Sequence, residues 1–434
     1  MTRCHDVLGI GFGPANLALA IALEEEGHDL DVRFLEARPG PSWQSAMMLD
    51  GSDIQNHPVR DLVSLRNPRS RYSFINYLFE SGRLLEHLNV PMEFPLRKEY
   101  AQYVTWAAGH FSRLVDYGVH VTGVALGRDA EGRPPHYTVT TSGGDTLRTR
   151  ALVIGTGRSP FIPEPFDAVD CPRVFHLTRY LPALQQLEEL GVVGRGDRSP
   201  RAVTVIGGSQ SAVELTLDLA RRFPRAEVTT LVRSLTLREK DTSPFSEEGY
   251  FPGFTDYYYR ASRERKDALD AYMRLTNYSS SDADVLRELY RLIYEQRLDG
   301  DQRVFVSGSR QVRGLEVRED GVRLSVEELN TGESEEHEAD FVVLATGFRD
   351  LGPAAHQERV PALMRGIADD FAFDGHGYLA VGPDYEVQPL GPDTPALFLN
   401  GLCESSHGIG DAGSFSLLSL RAKVIAESLR KRLP

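Results

Sequence analysis

Two glycine-rich turns, each between an apolar strand and a helix, are the segments of this sequence best suited to chemistry. The first turn supplies four residues of a dinucleotide-binding pattern: Gly9, Gly11, Gly13 and Pro14. Glycines let the backbone approach a pyrophosphate closely, and amides at the N-terminus of the following helix attract its charge. The next predicted strand stops at Glu36, where a carboxylate suits the ribose hydroxyls. The pattern predicts a dinucleotide site, with Pro14 standing where a third glycine is usual.

A second copy of this strand, turn and helix begins at residue 201. Its turn and first helical positions hold five small or polar residues: Gly207, Gly208, Ser209, Gln210 and Ser211. The strand that follows ends at Arg233 rather than at an acid. A carboxylate there would repel a 2′-phosphate, whereas a guanidinium can bind one through two hydrogen bonds. The second site is therefore predicted to prefer NADP to NAD, the alternative for Arg233 being a solvated charge at a strand end.

Two further apolar strands, at 151–157 and 341–347, run into small-residue turns, as buried parallel strands do. By analogy with proteins that bind a flavin and a nicotinamide nucleotide, such turns mark where the chain crosses between nested domains. We therefore expect an α/β fold with two Rossmann-like dinucleotide-binding domains, the second inserted in the first. The expected segments are an FAD-binding domain in 1–170 and 338–434, an NADPH-binding domain in 171–240 and 301–337, and a small helical substrate-binding segment in 241–300.

Composition and charge exclude several classes of protein. The chain has 434 residues, enough for two or three domains. Lys and Arg number 48 against 62 Asp and Glu, which gives a net charge of −14. Such a field repels phosphate backbones, so we expect no nucleic-acid partner. No window approaches the roughly 18 apolar residues of a spanning helix, so we also expect no membrane span.

The cysteine and histidine spacings exclude further chemistry. Cys4, Cys171 and Cys403 form no C-x-x-C pair, which argues against a disulfide framework, a zinc site and a redox dithiol. We therefore expect a cytoplasmic protein that binds no metal. The sequence contains neither the H-E-x-x-H pattern of metalloproteases nor the G-x-S-x-G pattern of serine hydrolases. The chemistry that remains for a protein with two dinucleotide sites is hydride transfer from NADPH to a flavin. The reduced flavin then delivers electrons or activated oxygen to a substrate.

Short motifs in a fixed order cover nearly the whole chain. The segments that carry them are 5–20, Trp43 with Met47, 61–68, 70–78, 82–84, 94–97, 103–106, 174–180, 207–214, 243–245, 276–279, 345–348 and 406–409. Together they resemble the flavin-dependent N-hydroxylating monooxygenases, the lysine and ornithine N-monooxygenases of siderophore biosynthesis. So many ordered matches are far more specific than one glycine motif.

The resemblance implies a reaction cycle, its cofactors and several site residues. In that family NADPH reduces FAD, oxygen adds at the flavin C4a to give a hydroperoxide, and a neutral primary amine attacks the distal oxygen to become a hydroxylamine. The resemblance places Trp43, Met47 and Gln55 near the flavin ring. It places Asn277 beside the nicotinamide ribose and the reacting amine, so that Gln55 and Asn277 are the candidate catalytic residues; a turn or capping asparagine is the alternative. Asp411 lies in a family motif and is a further candidate cofactor-binding residue.

Two positions depart from the family where it binds substrate. Arg60 stands where ornithine and lysine hydroxylases carry a lysine that holds the substrate carboxylate, and Glu247 where many carry an asparagine. Together they could clamp an amino-acid head, which favours the side-chain amine of L-ornithine or L-lysine. Alternatively Glu247 receives the far ammonium of a diamine such as putrescine or cadaverine, or the substrate is a small acidic amino acid such as aspartate. Two surface charges are the remaining alternative.

A longer segment near the C-terminus bears on the size of the substrate pocket. The family motif His-Gly-x-x-Asp-x-Leu-Leu-Ser is extended here to span 407–419, where the pocket is expected to close. The competing functions are a flavin monooxygenase that oxidises sulfur or carbon, and a flavin-binding protein without turnover. By similarity to the family we expect a homo-oligomer, either a tetramer or a dimer.

Overall fold

A computed structural model describes residues 3–27, 29–127, 135–194 and 199–433. Within these ranges the chain forms three β-sheets with helices packed against them. The strands are β1 (Cys4–Ile10), β2 (Val32–Glu36), β3 (Val115–Tyr117), β4 (Val121–Gly127), β5 (His136–Thr141), β6 (Thr146–Ile154), β7 (Val174–His176), β8 (Ala202–Ile206), β9 (Glu227–Leu231), β10 (Val304–Ser307), β11 (Arg310–Val317), β12 (Val322–Glu328), β13 (Ser334–Ala339), β14 (Phe341–Leu344) and β15 (Ala396–Leu399). The α-helices are α1 (Pro14–Glu25), α2 (Phe74–Glu80), α3 (Leu84–Asn89), α4 (Arg97–Gly109), α5 (Tyr180–Glu189), α6 (Gln210–Arg222), α7 (Pro244–Glu247), α8 (Pro252–Arg260), α9 (Arg263–Met273), α10 (Ala283–Asp299), α11 (Glu404–His407) and α12 (Leu418–Arg432).

The first sheet combines strands from both ends of the chain. Its order is β3-β2-β1-β6-β5-β4, and β15 also pairs with β6. β1 runs parallel to β2 and β6, and β15 runs parallel to β6. β5 pairs antiparallel with β6, and β4 pairs antiparallel with β5 at the edge of the sheet. Because β15 lies far along the chain from β6, this domain is assembled from two separate parts of the sequence.

The second sheet is wholly parallel, in the order β10-β9-β8-β14-β7. β14 pairs with β8 and β7, so it belongs here and not to the first domain, in which the sequence boundary at 338 had placed it. Sequence could not decide this, because a buried apolar strand looks the same in either parallel sheet. The fold is α/β with two Rossmann-like domains, the second inserted in the first, as predicted from the sequence.

A small antiparallel sheet and a group of helices complete the second domain. β11, β12 and β13 form the third sheet, whose Val312 and Leu324 share a hydrophobic core with Leu344 of β14. The helices α7 to α10 lie between β9 and β10, and α10 packs on α6. They occupy the part of the chain expected to be a helical substrate-binding segment.

The first glycine turn is fixed by the burial of the helix that follows it. Pro14 occupies the first turn of α1, where its missing N–H is not needed, and Gly13 precedes it in extended conformation. Residues 16–23 of α1 are all buried, because the helix packs on α12 and shares a hydrophobic core with β1 and β2. This packing holds the helix N-terminus at the carboxyl end of β1.

Candidate active site

One large cleft, of about 1770 Å³, is lined by both glycine turns and by parts of the helical segment. It lies at the carboxyl ends of the parallel strands, where open α/β sheets bind ligands. The predicted site residues that line it are Gly11, Gly13, Pro14, Glu36, Trp43, Met47, Gln55, Arg60, Gly207, Gly208, Ser209, Gln210, Ser211, Arg233, Glu247 and Asn277. Residues separated by more than 200 positions in sequence are thus brought to one cleft.

The first turn has the conformation that its glycines predict. Gly11 has φ of +84°, and a Cβ there would lie 2.7 Å from the carbonyl oxygen of Gly155. Beside Gly13 there is open space. The buried carboxylate of Glu36 accepts hydrogen bonds from the amides of Phe12 (2.7 Å) and Arg38 (2.9 Å), which fixes its orientation at the end of β2. These residues fit a dinucleotide, because the turn leaves no side chain between the backbone and a pyrophosphate.

Two residues predicted to bind cofactor do not line the cleft. A Cβ on Gly9 would lie 2.3 Å from the ring of Phe34, so this glycine allows β1 and β2 to pack closely. The carboxylate of Asp411 is buried, lies 2.7 Å from Nη1 of Arg421 and accepts a hydrogen bond from the amide of Cys403. Arg421 itself lines the cleft. Asp411 therefore lies behind the cleft wall, where it holds Arg421, an arrangement that the motif alone did not reveal.

The second turn is equally tight and is accompanied by an exposed arginine. Gly207 has φ of +146°, and a Cβ there would lie 2.3 Å from the carbonyl oxygen of Ala345. The Ser209 hydroxyl donates to the carbonyl of Ser280, which ties the turn to the helical segment. Arg233 is exposed on the cleft wall and forms no ion pair with any residue in the described part of the chain. Its guanidinium is therefore available to an anionic group bound at this turn.

On the substrate side, Arg60 and Glu247 form an ion pair. Nη1 of Arg60 lies 3.1 Å from Oε2 of Glu247 and 3.2 Å from the hydroxyl of Ser416. The side chains of Arg60 and Glu247 are only 25% and 27% exposed, and both line the cleft, so the surface-charge alternative is excluded. The Tyr100 hydroxyl donates to the carbonyl of Arg60 and fixes its backbone.

The residues expected near a flavin ring line the same cleft as Arg60. The Trp43 ring meets Tyr100 and Phe415 edge-on, at centroid distances of 5.9 and 5.3 Å. Met47 is buried, and its carbonyl accepts a hydrogen bond from Arg97. Apolar side chains therefore shield this part of the cleft from water.

Gln55 is held in an uncommon backbone conformation, with φ of +52°. Its backbone N–H donates to Oδ1 of Asp53, and its side-chain Nε2 donates to the carboxylate of Asp282. Burial raises the pKa of Asp53 to about 6, and the neighbouring Asp282 carboxylate adds to the rise. A strained residue that stays ordered at a cleft is typical of a functional position.

Sequence reasoning missed a buried polar cluster next to Asn277. Nη1 of Arg158 lies 2.9 Å from both the Tyr278 hydroxyl and Oδ1 of Asp350, and the Tyr278 hydroxyl donates to Glu404. Burial raises the pKa of Glu404 to about 8. Tyr278 stands in the Thr-Asn-Tyr-Ser motif and Arg158 follows the Gly-Thr-Gly turn, but only the fold joins them. Lys240, which lines the cleft 3.8 Å from Asp282, was also missed.

The described ranges contain neither a cluster of metal-binding side chains nor a helix that could span a membrane. No group of three or more His, Cys, Asp or Glu side chains in them could hold a metal ion. None of the helices they contain is long and apolar enough to cross a membrane.

Comparison with known proteins agrees with this geometry. The family model of L-lysine 6-monooxygenase/L-ornithine 5-monooxygenase matches residues 3–350. The L-ornithine N(5)-monooxygenase of Burkholderia cepacia is 36% identical over 410 residues, which cover 93% of this chain and 89% of that protein. The structure of the ornithine hydroxylase of Pseudomonas aeruginosa is similar over the full length of both chains, with 31% identity and a TM-score of 0.89.

A second solved structure is that of the ornithine N-hydroxylase of Kutzneria sp. 744, with reduced FAD, NADP⁺ and L-ornithine. It is 33% identical, covers 99% of this chain and 100% of its own, and has a TM-score of 0.89. The match in sequence and in fold extends over the cleft and both glycine turns. The chain therefore belongs to the L-lysine 6-monooxygenase/L-ornithine 5-monooxygenase family, whose members are flavin-dependent N-monooxygenases.

Proposed function

We propose that this protein is an FAD- and NADPH-dependent monooxygenase that hydroxylates the side-chain amine of L-ornithine or L-lysine. The observation that carries the proposal is the single cleft, which brings two dinucleotide turns together with the Arg60–Glu247 pair and Asn277. The named activities of the relatives support the same substrate class.

The two turns have different tasks in this proposal. Gly11, Gly13 and Glu36 hold FAD, because the carboxylate of Glu36 suits ribose hydroxyls. Gly207 and Arg233 hold NADPH, because the guanidinium, which has no ion-pair partner among the described residues, suits a 2′-phosphate. Bound together, the two cofactors supply hydride transfer and the activation of O2.

Arg60 is oriented to receive the carboxylate of an amino acid. Its Nη1 is used by Glu247 and Ser416, whereas Nε and Nη2 donate to no residue in the described ranges. These two nitrogens form the edge of the guanidinium that binds a carboxylate through two hydrogen bonds. Glu247 lies beside this edge and accepts the α-ammonium. The paired charges are therefore complementary to a zwitterionic head.

The reacting amine must lose a proton before it can act as a nucleophile. A free alkylammonium has a pKa of about 10.4, and desolvation favours its neutral form. Trp43 and Phe415 line this part of the cleft, and the buried Tyr100 packs against both, so that apolar rings exclude water. Asn277 lines the same space, and its side-chain amide orients the amine.

A panel of amines tests the proposal. Purified protein loaded with FAD is incubated with NADPH, air and one amine at a time: ornithine, lysine, putrescine or cadaverine. We expect hydroxylamine from ornithine or lysine and much less from the diamines, which lack the carboxylate for Arg60. Oxidation of NADPH without hydroxylamine from any amine would contradict the proposal, and turnover of the diamines alone would leave Arg60 without its proposed ligand.

We also propose a cytoplasmic homo-oligomer. Cys4, Cys171 and Cys403 are unpaired, which suits a reducing compartment.

The large apolar side chains of Phe79, Leu85 and Leu88 on α2 and α3 are 69–81% exposed and could contact another subunit. Light scattering of the purified protein tests this, since a monomer mass would contradict it.

A further inference from the structure

A second arginine opens onto the substrate side of the cleft in the same manner as Arg60. Arg158 is anchored through Nη1 by the Tyr278 hydroxyl and Asp350, as Arg60 is anchored through Nη1 by Glu247 and Ser416. Within the described ranges, Nη2 of Arg158 donates to no other group. Each arginine therefore has one fixed edge and one edge left for a ligand.

The free edge of Arg158 faces the same space as the side chain of Asn277. A Cβ built on Gly413 would lie 3.1 Å from Nη2 of Arg158 and 3.4 Å from Nδ2 of Asn277. Gly413, Arg158 and Asn277 all line the cleft, so the cleft space beside Gly413, called the gap below, is bordered by two N–H donors. Two donors that converge on one gap, one of them charged, suit the oxygens of a carboxylate.

This gap is close to Arg60. Gly413 borders Arg158, and Ser416, three residues later, contacts Arg60. Three residues of extended chain span at most about 11 Å. Tyr250 lines the same part of the cleft, and its hydroxyl is tied to the carbonyl of Thr276, next to Asn277. Both arginines therefore border the same short segment of the cleft wall, residues 413–416.

The surroundings of Arg158 also favour an anionic ligand over an ammonium. Its side chain is only 12% exposed, and Asp350 is 31% exposed, so the pair is partly desolvated. The carboxylates of Asp350 and Glu404 lie 2.9 and 3.5 Å from Nη1 of Arg158, whereas the gap is bordered by Nη2 of Arg158 and Nδ2 of Asn277, two N–H donors that suit an anion better than an ammonium. A carboxylate there would gain charge-assisted hydrogen bonds in a partly dry site.

We propose that the cleft binds two carboxylates of one substrate, at Arg60 and at Arg158 with Asn277, so that a short dicarboxylic amino acid is N-hydroxylated at its α-amine. This inference rests on the proposed N-monooxygenase function but replaces the ornithine or lysine named there with a dicarboxylic amino acid. The α-amine of that substrate is then the reacting group, rather than an ammonium held by Glu247. The amine, O2, NADPH and a proton give the hydroxylamine, NADP⁺ and water. An N–O bond forms, the O–O bond breaks, and the amine nitrogen loses one proton.

Binding of non-reacting acids tests the second carboxylate point directly. Succinate carries two carboxylates and butyrate carries one, so we expect succinate to raise the melting temperature of the FAD- and NADP⁺-loaded protein more. In Gly413→Ala the new methyl group fills the gap without removing a charge, and the advantage of succinate should disappear. Gly375→Ala is the matched control, since a Cβ there meets open space. Equal shifts with both acids, or an advantage that survives in Gly413→Ala, would overturn the inference.

Turnover separates this inference from the proposed function. We expect hydroxylamine from aspartate or glutamate, with KM raised about tenfold or more in Arg158→Leu and in Gly413→Ala, and unchanged reduction of bound FAD by NADPH. Gly413→Ala keeps the buried Arg158–Asp350 pair, so its result does not depend on whether Arg158→Leu folds. Turnover of ornithine or lysine without aspartate or glutamate would overturn the inference and leave the function intact. No hydroxylamine from any amine would refute both.

Discussion

Arg97 and Glu214 form a buried ion pair that joins the two domains. Nη2 of Arg97 lies 2.9 Å from both carboxylate oxygens of Glu214, and its Nη1 donates to the carbonyl of Met47. Glu214 also accepts a hydrogen bond from Gln210, the first residue of α6 after the second glycine turn. One ion pair thus connects a residue expected near the flavin with the turn expected to hold NADPH.

Removing one partner of this pair should destabilise the protein strongly. Glu214→Ala leaves the Arg97 charge buried without a partner, and we expect a loss of about 3–5 kcal/mol of unfolding free energy. The double variant Arg97→Met/Glu214→Leu is the control, because it removes both charges and should recover most of the loss. Chemical denaturation measures both. A loss below about 1 kcal/mol in the single variant would contradict the prediction.

Gly11→Ala should abolish binding of FAD. The substitution puts a Cβ 2.7 Å from the Gly155 carbonyl and forces an alanine to φ of +84°, so the turn must open. Bound flavin after purification, read from absorbance, measures the effect. Gly40→Ala, where a Cβ meets nothing within 4 Å, should retain full flavin content. Normal flavin content in Gly11→Ala would show that this turn does not hold FAD.

Arg233→Ala should erase the preference for NADPH over NADH. Loss of the guanidinium removes charge-assisted hydrogen bonds to a 2′-phosphate, so we expect kcat/KM for NADPH to fall about tenfold or more. The value for NADH should stay near wild type, which makes NADH the internal control. Anaerobic reduction of bound FAD by each nucleotide measures both. An equal fall for both would assign Arg233 to folding rather than to specificity.

Arg60→Ala should raise KM for an amino-acid substrate about tenfold or more, because the carboxylate loses its guanidinium partner. Reduction of bound FAD by NADPH should remain near wild type, since Arg60 contacts neither glycine turn. Steady-state kinetics and stopped-flow absorbance measure the two effects. Arg69→Ala, an exposed arginine nearby, is the control. An unchanged KM would remove Arg60 from carboxylate recognition.

Glu404 should make the stability of the protein fall as pH rises. Burial raises the pKa of its carboxyl from 4.5 to about 8, so the folded state favours the protonated form. This contribution is complete below the unfolded pKa of 4.5 and is lost as pH rises through about 8. Unfolding curves between these limits should show a steeper decline for wild type than for Glu404→Gln. Parallel declines would show that Glu404 does not titrate in this range.

Local sequence patterns were enough to predict the two glycine turns and the fold class. A glycine with positive φ, a proline at the first turn of a helix and an acid or a base at a strand end each act over a few residues. Their structural consequences could therefore be read from the chain at Gly11, Pro14, Glu36 and Arg233. The family resemblance added Gln55, Arg60, Glu247 and Asn277, all of which line the cleft.

Contacts between distant segments were decided by the tertiary structure alone. The placement of β14 in the second sheet, the burial of Asp411 against Arg421 and the gap between Arg158 and Asn277 each depend on which strands pair and which helices pack. Side-chain pairing across hundreds of residues leaves no periodic trace in a single sequence. Local conformation follows from the residues themselves, whereas the charge and shape of the cleft follow from the way the packed core brings them together.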